Sequence, residues 1–252
     1  PEILLQVLRH HFPDEPPYWA HQLSYCKHRE AKLKEVMEEH GVSRGAAKQL
    51  FVCLINNGTY KSWKKDNKVA DSTEIPFVVS FGKEIRNVIP VLKKHNKVLY
   101  DAMVQAKQEQ AKKYKKKMSK NLDGSFMSTF LGNIERMLLE VIVKHFESKM
   151  FIINNDCVLA YDGLMVLKSR LQGVHIPALL KDMQQHLKAQ TGFNIEWATK
   201  DMDEAYTEEE LMPFAFEHTN VWYFKYMNQL EGYERKKQYM ELFFVKIEKP
   251  KC

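Results

Sequence analysis

The chain has 252 residues, 44% of them hydrophobic, with a formal net charge of +6 and a pI near 8.9, which is length and apolar content enough for one large core or two modest ones and argues against a disordered chain. No stretch approaches the roughly 18 uncharged apolar residues of a membrane span, and Pro1-Glu2-Ile3-Leu4 lacks the basic-then-apolar order of a secretion signal, so an intracellular protein, cytoplasmic or nuclear, with no membrane partner is expected. Cys26, Cys53, Cys157 and Cys252 lie far apart with no Cys-x-x-Cys pair, which argues against zinc and for reduced thiols.

From Glu2 to Phe12, Ile3, Leu4, Val7 and Leu8 recur at helical spacing until Pro13-Asp14-Glu15-Pro16-Pro17 breaks the pattern. A second helix is predicted over Tyr18 to Glu39 with Gly41 as its stop. A third runs from a Ser43 cap through Arg44, Lys48, Leu50, Phe51 and Leu54 to Ile55, closed by Asn56-Asn57-Gly58. Residues 63–73 read as a polar loop. Helix resumes over Phe81 to Lys94, over Lys97 to Lys120 with a basic end, and over Ser125 to Glu147, where Phe126, Phe130, Met137, Leu138 and Val141 share one face. The period then changes. Phe151 to Ile153 and Cys157 to Ala160 read as strands parted by Asn154-Asn155-Asp156, and Leu164 to Leu167 as a third, with Asp162-Gly163 as a hairpin turn before it. A helix over Pro177 to Gln190, stopped at Gly192, precedes a strand over Asn194 to Ala198. Acidic residues 201–210 read as a linker, and Trp222 to Tyr226 with Leu242 to Ile247 as an aromatic tail.

Arg44 and Lys48 lie four apart and so on one helix face, where two cations neutralise a triphosphate and its departing pyrophosphate. On spacing alone, such a pair is more often a solvated basic stripe. Asp162, displayed between apolar strands, is a candidate magnesium ligand, although Asp-Gly is also ordinary turn composition; Asp156 reads as a turn residue. Lys112, Lys113, Lys115, Lys116 and Lys117, interrupted by Tyr114 and followed by Lys120, read equally as a contact to a nucleic-acid backbone and as a solvated helix end that suits the macrodipole. Tyr60, Trp63 and Trp197 read as core ahead of platforms for stacked bases.

The combination and order of these pieces resemble the family A DNA polymerases and the related phage-type single-subunit RNA polymerases over roughly residues 1–200. Arg44-Gly45-Ala46-Ala47-Lys48 with Asn56-Asn57-Gly58 resembles motif B of the fingers helix, Asn56 standing where tyrosine is usual. Phe126 to Phe146, with Asn133 and Glu135, sits where those families place the long palm helix. Val158 to Val166 is similar to the motif C hairpin, with Tyr161 in place of histidine and Gly163 in place of the final residue. The resemblance implies a template-directed nucleotidyltransferase. In it a primer 3′-hydroxyl attacks the α-phosphate of a nucleoside triphosphate, Asp162 helps to hold two Mg2+ ions, Arg44 and Lys48 stabilise the pyrophosphate, and Asn56 and Gly58 lie beside the nucleotide. A DNA primer-template is the implied partner.

The other metal-binding aspartate of the family belongs to motif A, upstream of motif B. No residue here fills it: Asp14 sits among prolines, and Pro1-Glu2-Ile3-Leu4 resembles the helix that follows that motif. The chain is therefore read as a fragment whose motif A lies before Pro1. The tail from Phe224-Lys225 to Ile247 resembles segments leading into viral primase-helicase modules, which implies a viral replication protein with a fused or associated helicase or primase.

The expected fold is α+β, a mostly helical fingers-like region over 1–120, a palm region with a small antiparallel sheet over 121–200, and a linker with C-terminal extension over 201–252. The expected activity is nucleotidyl transfer as part of a longer chain. The alternative is a non-catalytic nucleic-acid-binding accessory module of a replication protein.

Overall fold

Helices follow one another from the first residues onward, and strands enter only at Cys157. The computed structural model describes residues 1–11, 19–70, 74–115, 117–118, 120–160, 163–200 and 242–248. These are mostly helical with one small antiparallel sheet, the α+β class expected. They divide into two units, Pro1–Glu135 and Arg136–Lys249.

The first unit holds α1 (Glu2–His11), α2 (Ala20–Lys27), α3 (Arg29–His40), α4 (Arg44–Ile55), α5 (Tyr60–Asp66), α6 (Pro76–His95), α7 (Lys97–Lys113) and the beginning of α8 (Leu122–Ser148). Its centre is aromatic. Phe51 is fully buried between Tyr25 and Phe81, with ring centroids 4.1 and 5.2 Å away, and each such pair adds about 0.5–1.5 kcal/mol beyond area burial. The single helix predicted over residues 18–39 is two, parted at His28. Tertiary packing overrides the continuous pattern, because α2 packs on α6 and α3 on α4. Glu84 of α6 fixes the start of α2, accepting from the His21 and Gln22 backbone N–H groups at 2.9 and 3.1 Å, donors that a helix N-terminus leaves unpaired.

Residues 60–66 form α5, so the stretch 63–66 expected as the start of a polar loop is helical instead. Thr59 and Ser62 close a reciprocal capping box, and Trp63 donates its indole N–H to Ala46 O at 2.9 Å. The usual capping signature carries Glu or Gln at the third helical position, and serine there does not advertise itself. Gly41 ends α3 at φ 61 as expected, and Ser43 caps α4 by accepting from Ala46 N at 3.2 Å.

The second unit continues α8 and adds β1 (Cys157–Ala160), β2 (Gly163–Leu167), a short 3-10 helix (Lys168–Leu171), α9 (Ile176–Thr191), β3 (Glu196–Lys200) and β4 (Leu242–Glu248). The sheet is antiparallel in the order β1-β2-β4-β3, so the tail strand β4 lies between β2 and β3. Leu164 and Val166 point into the core while Met165 and Leu167 are half-buried, the alternation of a strand with one covered face. α9 packs on β3. The acidic stretch 201–210 and Trp222 to Tyr226 lie outside the described residues.

Phe151 to Ile153, expected as a strand, is instead the wrapped end of α8. Phe151 N donates to Phe146 O at 2.9 Å and Met150 N to Glu147 O at 3.0 Å, the paired bonds of a Schellman cap, and the Phe146 and Phe151 rings meet at 5.6 Å. Met150 occupies the left-handed position at φ 62 and is 64% exposed. A Cβ costs about 1–2 kcal/mol there, offset in part by the entropy of a glycine in the unfolded chain. Met150→Gly is therefore expected to stabilise the second unit by about 0.5–1 kcal/mol in denaturant unfolding; a loss of stability would show that this cap is not made in solution.

Candidate nucleotide and nucleic-acid site

Burial of Ala47, Leu50, Phe51, Leu54 and Ile55 fixes the inward face of α4, which leaves Arg44 and Lys48 exposed together on its outward side. Arg44 opens the helix, so the positive end of the helix dipole adds to its charge. Its guanidinium already holds a carboxylate: Nε donates to Glu30 Oε2 at 2.9 Å and Nη2 to Oε1 at 2.6 Å. That hydrogen bond holds the Glu30 carboxyl below its usual range and raises Arg44 in turn.

Asn56 and Gly58, the other residues read as nucleotide-binding, form the end of the same helix. Asn56 caps α4, its side-chain amide donating to Val52 O at 3.1 Å. Gly58 N donates to Cys53 O at 2.8 Å, and a Cβ on Gly58 would stand 2.3 Å from Cys53 Sγ, so the close return of the chain requires glycine. Asn121, immediately before α8, ties this end down. Its Nδ2 donates to Asn56 O at 3.0 Å and Asn57 O at 3.4 Å, while its Oδ1 accepts from Gly124 N at 2.8 Å and Asn57 Nδ2 at 3.3 Å. One side chain thus caps the start of α8 and holds the end of α4.

The strands flanking Asp162 pair antiparallel, with Ala160 opposite Gly163. Gly163 is thus already in β2, and Tyr161 and Asp162 join the strands; both lie outside the described residues. Among the described residues no three His, Cys, Asp or Glu side chains gather as a metal-binding group. Asp156 is the turn residue expected, accepting from Ile153 N at 2.7 Å and pairing with Arg170 at 3.1 Å.

In the basic run, Lys112 and Lys113 end α7, and Lys115, Lys117 and Lys120 are exposed beyond it; Lys116 lies outside the described residues. Tyr114, 57% exposed, has the Lys113 ammonium 5.7 Å from its ring centroid. Tyr60, Trp63 and Trp197 are all buried, in line with the core reading. Tyr60 hydrogen-bonds His40, and burial pushes its hydroxyl up to about 12.

A cluster the sequence reading missed lies between α8 and α9. His145 Nε2 is 2.7 Å and Lys149 Nζ 2.8 Å from the same Asp182 oxygen, and the His145 and His186 rings stack at 3.9 Å. Burial pushes the Asp182 carboxyl up, but hydrogen bonds from Lys149 and His145 outweigh it and leave it below its ordinary value. The available signal was the complementary spacing, His145 in the last turn of α8 with Lys149 four residues on and just past its end, Asp182 and His186 four apart on α9.

No helix among the described residues is long and apolar enough to cross a membrane. No protein-family model matches the chain, and no solved structure matches it significantly. A Sputnik virophage protein named as a helicase is 25% identical over 180 residues, covering 71% of this chain and 21% of that protein. The matched segment thus spans about a fifth of the relative's length.

Proposed function

We propose that the chain is the nucleotide-handling part of a longer viral replication protein, a polymerase-like segment that acts in template-directed nucleotidyl transfer. The observation that carries this reading is the outward face of α4, where Arg44 and Lys48 stand exposed on a rigid, capped helix and Arg44 already grips a two-oxygen anion. Phosphoryl transfer is accelerated chiefly by such pre-positioned charge on the triphosphate. The basic run from Lys112 to Lys120 takes the phosphate backbone of a DNA primer-template without sequence readout. The helicase name of the Sputnik virophage relative supports a place in replication beside a fused or associated helicase or primase.

Magnesium enters this reading through Asp162. The described residues supply no carboxylate set for two ions, so in this reading the second ligand comes from outside them. Arg44 and Lys48 bind and orient the triphosphate and hold the charge that develops on the leaving pyrophosphate.

Lys48→Ala is expected to weaken binding of a deoxynucleoside triphosphate about tenfold, the worth of one charge-assisted contact, with primer-template affinity unchanged. Calorimetric titration of the two ligands checks this. Unchanged nucleotide affinity, together with loss of DNA binding on neutralising Lys112 to Lys117, would instead establish the non-catalytic accessory module.

A further inference from the structure

The cation site on α4 has an occupant, the carboxylate of Glu30. Two side-by-side hydrogen bonds, at 2.9 and 2.6 Å, seat it on the Arg44 fork in the geometry by which a guanidinium takes a carboxylate or a phosphate alike. Glu30 precedes Arg44 by 14 residues and sits on α3, which packs on α4, so the fold delivers it rather than chain adjacency. Neither side chain is buried: Arg44 is 54% and Glu30 58% exposed. Water therefore competes for both, their net attraction is small, and an incoming phosphate has access to the fork.

We propose that Glu30 is an internal competitor at this site, displaced from Arg44 by a phosphate of the incoming triphosphate, and that it sets which anions Arg44 accepts. This rests on the reading of α4 as the triphosphate grip. A phosphodiester of a nucleic-acid backbone offers one negative charge at the fork and gains little by exchanging with a carboxylate. A triphosphate carries several charges within reach of both Arg44 and Lys48 and so outbids it. Glu30 thereby lowers affinity for every phosphate that takes Arg44 by the same factor, so that a weakly held phosphodiester is kept off the fork while a triphosphate still seats, and it keeps Arg44 extended in its binding geometry when no nucleotide is present.

The test titrates the whole chain with inorganic tripolyphosphate, with deoxyadenosine triphosphate and with single-stranded DNA, comparing the native protein with Glu30→Gln and Arg44→Ala. Glutamine keeps the shape and an acceptor oxygen but no charge, and both positions are exposed, so folding is not at stake. Glu30→Gln is expected to bind tripolyphosphate and the nucleotide about threefold tighter, and single-stranded DNA by no more than the same factor, since every anion that takes Arg44 is relieved of the same competitor. Arg44→Ala is expected to weaken binding of tripolyphosphate and the nucleotide. If Arg44→Ala weakens binding while Glu30→Gln leaves it unchanged or weaker, the competitor role is overturned and the grip stands. If Arg44→Ala changes nothing, the grip reading falls and this inference with it.

Discussion

Under the proposed function, replacing Asp162 by alanine in the proposed longer replication protein is expected to abolish magnesium-dependent nucleotide incorporation on a primed template, a loss of at least about a thousandfold, because a metal ligand in the role proposed for Asp162 contributes several kcal/mol to the transition state. Binding of the same primer-template is expected to stay within about twofold, since a carboxylate contributes nothing attractive to a phosphate backbone. The decisive companion is Asp162→Asn. Asparagine tolerates turn conformations as readily as aspartate, so the β1–β2 connection is indifferent to the change, whereas a neutral amide is a far poorer magnesium ligand. Loss of incorporation in both variants marks a metal-binding carboxylate; activity retained in Asp162→Asn reduces Asp162 to a turn residue and removes it from the chemistry. A protein that retains DNA but incorporates nothing even with Asp162 intact points to the accessory module.

What was legible in the sequence was local. The Gly41 stop, the Ser43 cap and the i, i+4 placement of Arg44 and Lys48 are decided by residues within one or two turns of each other, and all three stand as read. The strand pattern on either side of Asp162 likewise yields the β1–β2 pair, although the register moves Gly163 into the strand. The partners that complete the site were not legible, because packing brings them in. Glu30 meets Arg44 from another helix, and Asn121 reaches back 64 and 65 residues to Asn57 and Asn56. The same holds for the sheet: Leu242 to Ile247 reads as an aromatic tail, and nothing in it says that it enters as a strand between β2 and β3. Where local pattern misled, a local motif of low visibility was responsible. The Thr59-Ser62 box hid α5, and the apolar Phe151 that looked like strand is the packing residue of a helix cap.

Gly124→Ala is expected to destabilise the first unit by about 3 kcal/mol, the upper end of what one inserted methyl costs a packed site. A Cβ on Gly124 would stand 2.1 Å from Asn56 O and 2.4 Å from Asn121 Nδ2. The first of these is backbone at the end of α4, so relief requires α4 and the start of α8 to move apart and the Asn121 bonds to Asn56 and Asn57 to break. Gly132 supplies the control on the same helix. Nothing lies within 4 Å of its Cβ position, so Gly132→Ala is expected to stabilise by up to about 1 kcal/mol through helix propensity alone. Opposite signs from one chemical change on one helix, read as unfolding midpoints at constant slope, isolate the close approach from any general effect of alanine. The same variants connect packing to function, since Asn121 holds the end of the helix whose beginning carries Arg44 and Lys48. Triphosphate affinity that falls in Gly124→Ala but not in Gly132→Ala, under conditions where both are folded, makes the Asn121 tie part of what positions the cations; affinity unchanged in both confines that tie to stability.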